Sequence, residues 1–410
     1  MTKFKIKSVL LLGVGGVSMH QLALAFKSLG LKVYGYDAKP SSYTKLCEEN
    51  DIKITHKYTK EFLQVDLCVK TGAIPDNNRF LIELRKKNTP IVDRAEALAW
   101  FCKKFKNVIA VAGTHGKSTT ASLIYKILQQ ANKKVSCHIG ADVDAPRFCL
   151  NDDFLVVEAC EYQKSFLRLY PTISVVTNIE KEHMDCYGSL FNLRNSFLTF
   201  LKRAPNRFVY KEKSTTFLQK YKNINFVNSD DFDYTPILKG EHNKKNIALA
   251  VAVARHLDID EQTIKKVVNN FKGLSRRYDY LGNFENTKIY IDYAHHPTEV
   301  DAFIQTFKKQ YPNSLVVFQP HTYSRTKLLL KEFLKVFSKL NDLVLYKEYP
   351  AREKPTAGMT CFELYQQILK INKNVKYLDN KRNIQKIIKN YDAVAFVGAG
   401  DINKVAQKLI

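Results

Sequence analysis

A glycine-rich run in the second quarter of the chain carries the residue types needed to hold a nucleoside triphosphate. The run is Gly113-Thr114-His115-Gly116-Lys117-Ser118-Thr119, between an apolar predicted strand and a predicted helix. In such loops glycine lets backbone amides surround phosphates, lysine contacts the β- and γ-phosphates, and serine binds Mg²⁺. The loop is shorter than the full P-loop pattern, because Val111 occupies the early glycine position. We predict that these seven residues form an ATP site.

Two further polar strand ends supply candidate metal ligands. In an open α/β sheet, ligands bind beyond the carboxyl ends of the strands. Glu158 ends one predicted strand and His183 follows another. A carboxylate suits Mg²⁺, whereas imidazole is a softer ligand, and a lone histidine is more often a surface or core residue. Because His183 falls in a strand-end loop, we still predict Ser118, Glu158 and His183 as metal ligands.

A second glycine pattern lies near the N-terminus. Gly13, Gly15 and Gly16 follow an apolar run, and Ser18 stands where a dinucleotide-binding loop has its third glycine. Asp37 ends the next predicted strand, the place of a ribose-binding acid. An NAD site and a nucleotide-sugar site explain this pattern equally well.

The last third of the chain contains two dense polar strings, residues 291–299 and 318–326. The pair His295-His296 invites a zinc site, but no familiar ligand spacing accompanies it, so we predict structural hydrogen bonds or substrate contact there. Farther upstream, His242, Asn243 and Asn246 open a predicted helix. The asparagines could contact an adenine edge, and Asn243 could instead cap the helix.

The elements that position these loops alternate between strand and helix. This alternation predicts parallel α/β sheets, and 410 residues suggest two or three domains. We expect three domains, covering residues 1–103, 104–273 and 274–410. The predicted strands are Ser8–Leu12, Lys32–Tyr36, Leu67–Lys70, Pro90–Val92, Val108–Ala112, Phe154–Glu158, Ile173–Asn178, Lys288–Asp292, Ser314–Gln319, Asp342–Tyr346 and Ala393–Val397.

Charge is the unusual feature of the composition. The 64 Lys and Arg residues exceed the 40 Asp and Glu residues, giving a net charge of +24. Such an excess suggests nucleic acid, an anionic membrane or a phosphate-bearing substrate. The basic residues are spread along the chain, lysine dominates as an AT-rich genome would produce, and no aromatic-basic RNA motif occurs. We therefore predict no nucleic-acid partner and keep an anionic small-molecule substrate.

The chain also lacks sequence signals for the membrane or for export. No apolar run approaches the roughly 18 residues of a membrane span, and glycines interrupt the N-terminal apolar stretch. The eight cysteines form no C-x-x-C pair, which favours reduced thiols over zinc ribbons or disulfides. We predict a cytoplasmic enzyme without membrane insertion.

Taken in order, the motifs resemble the Mur ligase family, and within it the branch that adds L-alanine. The strings that carry the resemblance span nearly the whole chain: GVGGVSM, TGAIPDNN, GTHGKST, EACEYQKSF, TNIEKEHMD, GEHNKKN, GLSRRYD, DYAHHPTE, FQPHTYSRT, YPAREKP and GAGDI. The resemblance implies a Rossmann-like UDP-sugar domain, a central ATPase domain with a P-loop and a parallel sheet, and a Rossmann-like C-terminal domain that brings the amino acid and closes on ATP. It also replaces the NAD interpretation of the first loop with UDP-sugar binding.

The implied reaction joins L-alanine to the carboxylate of UDP-N-acetylmuramate, using ATP and Mg²⁺, through an acyl phosphate. It belongs to peptidoglycan precursor synthesis and releases ADP and phosphate. The alternative within the family is the ligase that recycles murein tripeptide onto the same UDP-sugar. We expect a monomer or weak homodimer.

The resemblance also implies roles for individual residues. The catalytic set is Lys117, Glu158, His183, Arg277, His321 and Arg325, with His183 as ligand of a second Mg²⁺. ATP binding extends to His242, Asn243, Asn246, Arg277 and Asp292. The UDP-sugar residues are Gly13, Gly15, Gly16, Ser18, Asp37, Thr71, Ala73 and Asn78. The amino acid is expected at His295, His321, Tyr323 and Arg325.

Three positions depart from the family pattern. Cys160 and Gln163 replace two acids, and Thr322 stands where an arginine is frequent. This chain therefore lacks those two carboxylates, and Arg325 is the residue that we predict to contact the alanine carboxylate. We predict no carbamylated lysine.

Overall fold

The computed structural model describes residues 6–141, 148–149, 152–231, 234–238, 240–351, 353–355, 358–380 and 383–410. The chain packs into two compact units. The first consists of Met1–Leu238 and Asn243–Lys272, and the second of Lys239–His242 and Gly273–Ile410. Two of the three sheets lie in the first unit and one in the second.

The first sheet is parallel, with the order β3-β2-β1-β4-β5. Its central strand is apolar at four successive buried positions, as expected for a strand covered on both faces. The elements are β1 (Ser8–Leu12), α1 (Val17–Ser28), β2 (Lys32–Tyr36), α2 (Ser42–Glu49), β3 (Lys53–Thr55), β4 (Leu67–Lys70), α3 (Arg79–Lys86), β5 (Ile91–Asp93) and α4 (Arg94–Cys102).

The second sheet is also parallel, with the order β11-β10-β9-β6-β8-β7. Strand β6 lies between β9 and β8, so the loops after these three strands meet at one edge. The elements are β6 (Asn107–Ala112), α5 (Lys117–Gln130), β7 (Val135–His138), β8 (Phe154–Glu158), β9 (Ile173–Val176), α6 (Met184–Tyr187), α7 (Leu190–Lys202), β10 (Asn206–Tyr210), β11 (Asn225–Val227), α8 (Glu241–His256) and α9 (Glu261–Asn270).

The third sheet has the order β12-β13-β17-β14-β15-β16. Strand β12 pairs antiparallel to β13 with a register shift between Tyr280 and Gly282, and the other pairs are parallel. The elements are β12 (Asp279–Phe284), β13 (Thr287–Asp292), α10 (Pro297–Gln310), β14 (Ser314–Phe318), α11 (Tyr323–Leu328), α12 (Leu330–Phe337), β15 (Leu343–Tyr346), α13 (Cys361–Leu369), β16 (Val375–Leu378), α14 (Ile384–Ile388), β17 (Ala393–Val397) and α15 (Ile402–Gln407).

The predicted α/β class is confirmed, with one sheet in each of the three expected regions. The boundaries near residues 103 and 273 stay predictions. The eight cysteines, all of them among the described residues, form no disulfide bonds. Within the described ranges, every helix falls short of the length and apolar character that crossing a bilayer requires.

Candidate active site

The loop between β6 and α5 has a backbone that only glycine fits at two positions. Gly113 and Gly116 have φ values of 144° and 80°. A Cβ on Gly113 would overlap the hydroxyl of Thr177, and one on Gly116 would overlap the side-chain oxygen of Asn246. The backbone conformation and the packing therefore both require glycine at these positions.

The polar end of β9 holds this loop in place. The backbone amide of His115 donates to Asn178 Oδ1 at 2.9 Å, and the amide of Thr114 donates to the Asn178 carbonyl at 3.1 Å. Thr177 Oγ1 donates to the His115 carbonyl at 2.5 Å. These hydrogen bonds fix the loop, and α5 begins directly after it, at the carboxyl end of β6. A helix N-terminus at this position favours the binding of anions.

Ser118 and Glu158, the two residues predicted as metal ligands at this loop, lie in contact with each other. Ser118 Oγ donates to Glu158 Oε2 at 2.7 Å, and the Gly140 amide donates to the same oxygen at 2.9 Å. A hydroxyl and a carboxylate oxygen this close are a donor set that Mg²⁺ accepts. These residues therefore fit a magnesium ion.

Lys117 is held by a residue that the sequence analysis did not select. Its Nζ donates to the carbonyls of Gly113 and Thr114 at 2.5 and 3.1 Å. The same nitrogen lies 3.2 and 3.1 Å from the two carboxylate oxygens of Glu161, which is only 2% exposed. Burial lowers the pKa of Lys117, but Glu161 and Glu158 raise it by more, so the lysine stays charged.

His183 lies near the same carboxylate. Its Nε2 is 3.9 Å from Glu161 Oε1, and its Nδ1 is 3.8 Å from Glu182 Oε1. The Tyr162 ring lies against it, with 4.7 Å between ring centroids. Glu161 thus connects the two predicted catalytic residues Lys117 and His183.

The asparagines of α8 support the phosphate loop from inside the first unit. Asn246 accepts a hydrogen bond from Thr120 Oγ1 at 3.4 Å and donates one to Asn243 Oδ1 at 3.4 Å, and both asparagines are buried. Asn243 is the third residue of α8, so the alternative that it caps the helix is wrong. His242 is the second residue of the same helix.

The first glycine loop is hydrogen-bonded to Asp37, the acid predicted to bind ribose. The Gly15 amide donates to Asp37 Oδ2 at 2.9 Å, and a Cβ on Gly15 would lie 2.8 Å from that oxygen. Gly13 has a φ of 89° and packs against Thr71, whose Oγ1 accepts the Ala73 amide at 3.1 Å. Asp37 and Thr71 therefore shape the loop together.

Two other predicted UDP-sugar residues have structural partners. Asn78 caps α3 by accepting the Phe80 amide at 3.0 Å. Ser18 Oγ accepts from Arg94 at 3.0 Å and lies 3.0 Å from His138 Nε2. Burial, followed by the charge of Arg94, lowers the pKa of His138 to about 3, so this imidazole is neutral.

Arg94 and His138, like Glu161, were missed from the sequence. Arg94 directly follows β5 and His138 ends β7, so each is a polar residue at a strand end, the signal that did identify Glu158. In the structure they join the Ser18 loop of the first sheet to the second sheet.

In the second unit, Asp292 ends β13 and accepts two backbone amides. Tyr278 and Ala294 donate to it at 2.8 and 2.7 Å. Burial raises the pKa of Asp292 to about 6, against the opposing effect of Arg277. Arg277 itself donates to Glu299 Oε1 at 3.3 Å.

Three of the four residues predicted to bind the amino acid converge in this unit. Arg325 Nη1 lies 2.9 Å from His321 Nδ1, and the His321 and His295 rings are 5.7 Å apart. Tyr349 stacks on His321 at 5.6 Å. Tyr323 is buried, and burial followed by the charge of Glu348 raises the pKa of its hydroxyl.

Models of known protein families match most of the chain. The profile described as "Mur ligase family, catalytic domain" matches residues 8–106, "Mur ligase middle domain" matches 111–229, and "Mur ligase, glutamate ligase domain" matches 276–400. UDP-N-acetylmuramate–L-alanine ligase of Caldicellulosiruptor bescii is 35% identical over 96% of this chain and 96% of its own length. The protein of the same name from Caldicellulosiruptor saccharolyticus is 35% identical over 98% and 97%.

Two solved structures share the fold. UDP-N-acetylmuramate–alanine ligase from Thermotoga maritima superimposes with a TM-score of 0.81 at 22% identity, covering 98% of both chains. A murein peptide ligase from Psychrobacter arcticus gives a TM-score of 0.70 at 19% identity, also over 98% of both chains.

Proposed function

Since this chain belongs to the Mur ligase family, as its motifs predicted, we propose that it is an ATP-dependent ligase that joins L-alanine to the carboxylate of UDP-N-acetylmuramate. The observation that carries the ATP chemistry is the Ser118–Glu158 contact of 2.7 Å beside Lys117. Full-length relatives that bear the name of this ligase support the choice of substrates. The product would serve peptidoglycan precursor synthesis.

The reaction proceeds in two displacements. A carboxylate oxygen of the muramate attacks the γ-phosphorus of ATP, the bond to the β,γ-bridging oxygen breaks, and ADP leaves. The amine of L-alanine then attacks the acyl carbon and loses a proton, a C–N bond forms, and inorganic phosphate leaves with the C–O bond pair. Negative charge grows on phosphoryl oxygens in the first step, so positioning and fixed positive charge provide the catalysis.

The first unit supplies the groups for ATP. Lys117 would hold the β- and γ-phosphates at the N-terminus of α5, and Ser118 and Glu158 would hold Mg²⁺, with His183 at a second ion. When bound, Mg²⁺ neutralises phosphate charge. The N-terminus of α1, which follows the loop of Gly13, Gly15 and Gly16, would receive the diphosphate of the UDP-sugar.

The second unit supplies the groups for the amino acid. Arg325 has a planar guanidinium suited to a carboxylate, and His321 lies 2.9 Å from it. We assign recognition of the L-alanine carboxylate to Arg325, with His295 and His321 beside it. Arg277 and Asp292 would contact ATP phosphate and ribose.

The decisive experiment measures phosphate release from ATP with UDP-N-acetylmuramate, Mg²⁺ and one candidate amino acid at a time. L-Alanine should give the highest kcat/KM. Turnover with murein tripeptide alone would replace the proposal by the recycling ligase, and turnover stimulated by DNA or RNA would replace it by a nucleic-acid-dependent ATPase.

We further propose that the enzyme works in the cytoplasm as a monomer or weak homodimer. The reduced cysteine pattern supports the compartment. Light scattering across a hundredfold range of protein concentration tests the assembly, and a mass that stays at four chains or more would contradict it.

A further inference from the structure

The edge of the second sheet opposite the phosphate loop is strongly basic. Strands β6, β9, β10 and β11 are parallel neighbours in this sheet, and the chain enters them through residues 103–106, 169–172, 202–205 and 219–224. These four segments, which we call the amino edge, lie side by side over a width of about 15 Å. The structure describes all of them, and they contain no acidic residue and seven basic ones: Lys103, Lys104, Lys106, Lys202, Arg203, Lys220 and Lys222.

Helix ends account for only part of this charge. Helices α4 and α7 end at the amino edge, and cations are favourable at a helix C-terminus. Lys220 and Lys222 are exposed and enter β11 without an α-helix before them. The phosphate loop does not use these cations either, because it lies at the other end of β6, roughly 20 Å away. The amino edge therefore carries positive charge that the proposed function leaves without a partner.

Two tyrosines join the cations into one continuous surface. The Arg203 guanidinium lies over the Tyr170 ring, 4.6 Å from its centroid. The adjacent residue Lys202 and the more distant Lys220 both lie over the Tyr221 ring, at 5.6 and 5.4 Å. Tyr170 is 63% exposed, so most of its ring faces solvent. Tyrosines and long basic side chains share the level of the lipid head groups at a membrane surface, because both have an apolar body and a polar tip.

The same contacts favour a lipid surface over nucleic acid. Single-stranded nucleic acid is bound by stacking its bases on aromatic rings, whereas at the amino edge a cation lies over each tyrosine. A lipid surface requires only cations for its phosphates and amphipathic rings for its boundary layer. Each Lys or Arg near an anionic bilayer strengthens binding by roughly fivefold, so several together are enough for a peripheral contact.

We propose that the amino edge binds the surface of an anionic phospholipid bilayer, with its lysines and Arg203 at the lipid phosphates and Tyr170 among the head groups. The contact is peripheral and reversible. It leaves the phosphate loop, at the opposite edge of the sheet, accessible to ATP. The inference goes beyond the proposed ligase function and does not depend on it.

The test is flotation of the full chain with vesicles of phosphatidylglycerol and phosphatidylcholine in equal parts, compared with vesicles of phosphatidylcholine alone. The unaltered protein should float with the anionic vesicles and stay in solution with the neutral ones. The triple variant Lys202→Glu, Lys220→Glu and Lys222→Glu should bind the anionic vesicles about tenfold more weakly or less. Its rate of phosphate release in the absence of lipid should be unchanged, because none of the three residues lies at the phosphate loop.

A matched control separates the position of the charge from its amount. Lys331→Glu, Lys335→Glu and Lys373→Glu replace exposed lysines of the second unit and change the net charge equally. This control should bind the anionic vesicles as the unaltered protein does. Tyr170→Ser tests the ring at constant net charge, and it should weaken binding by about threefold or more, since less apolar surface enters the head-group layer.

Several outcomes would overturn the lipid contact. These are an unaltered protein that does not bind anionic vesicles, equal binding by the triple variant, an equal loss in the control, or binding of an RNA oligonucleotide in place of vesicles. If the triple variant does not fold, Lys→Gln at the same three positions removes the charge without reversing it, and unchanged binding there would also overturn the proposal. Phosphate release without vesicle binding would contradict only the lipid contact, whereas vesicle binding without phosphate release would contradict only the ligase function.

Discussion

Lys117 and Glu161 form a buried ion pair in which both carboxylate oxygens face one ammonium nitrogen, at 3.1 and 3.2 Å. Lys117→Ala should abolish turnover while the chain still folds, and it should also lower the free energy of unfolding. Removing one partner of a buried ion pair leaves the other charge buried without a counter-ion, which costs about 3–5 kcal/mol. Urea unfolding and phosphate release measure the two effects.

A double variant distinguishes the cost of leaving the Glu161 charge without a counter-ion from the cost of losing the packing of the Lys117 side chain. Adding Glu161→Gln to Lys117→Ala should restore about half or more of the lost stability and none of the activity. Equal stability of the single and double variants would show that Glu161 does not need Lys117 as counter-ion.

Gly116→Ala should both destabilise the chain and weaken nucleotide binding. The new methyl group meets Asn246, and alanine is strained at a φ of 80°. We expect a loss of about 1–3 kcal/mol in unfolding free energy. Gly72→Ala is the matched control, because no atom lies within 4 Å of its added Cβ, and it should change neither quantity measurably.

Ser118→Ala should raise the Mg²⁺ concentration needed for half-maximal turnover by tenfold or more. The substitution removes one oxygen of the pair that we assign to the metal while leaving Glu158 in place. Ser122→Ala, on the same helix α5, is the control. The Ser122 hydroxyl is buried without a hydrogen-bond partner among the described residues, so its loss should leave the Mg²⁺ requirement unchanged.

Arg325→Ala should raise the KM for L-alanine and leave the KM for UDP-N-acetylmuramate unchanged. A charge-assisted contact with the alanine carboxylate contributes about 1.5–3 kcal/mol, which corresponds to roughly a 10- to 100-fold change. Lys327→Ala removes a neighbouring positive charge from α11 and should have no such effect. If both KM values rise together, Arg325 acts on the structure of the unit rather than on the amino acid.

His138 should make the chain sensitive to acid. Its folded pKa is lowered to about 3, whereas an unfolded histidine titrates near 6.5, so the unfolded state takes up the proton first as the pH falls. The free energy of unfolding is therefore unaffected by His138 above about pH 6.5 and falls below that pH, by about 2 kcal/mol at pH 5. In His138→Gln, the free energy of unfolding should depend less steeply on pH between about pH 5 and 6.5. An unchanged slope would contradict the role given to His138.

Much of the fold followed from local pattern. Strands Ser8–Leu12, Phe154–Glu158 and Ala393–Val397 are found where predicted, because buried parallel strands are continuous apolar runs. The order of strands in each sheet did not follow, because it depends on pairings between distant segments that leave no local trace. Six strands were also not predicted, namely β3, β7, β10, β11, β12 and β16, although β12 pairs with its neighbour β13 across a short turn.

The same contrast holds for the site. Ser118 was selected from the glycine-rich loop and Glu158 from the end of an apolar run, and the structure brings the two side chains together. Glu161 was overlooked because its importance comes from Lys117, 44 residues earlier in the chain. Arg94 and His138 likewise acquire their partner, Ser18, only through the packing of two sheets.

The irregular strand β12 has a consequence for the protein at high concentration. It forms an edge of the third sheet, and its register shift between Tyr280 and Gly282 interrupts the regular ladder of hydrogen-bonding groups. A straight, open edge invites a strand from a neighbouring molecule, and a bulge hinders that addition. This edge is therefore protected against intermolecular sheet growth, which favours a dispersed protein over an aggregated one.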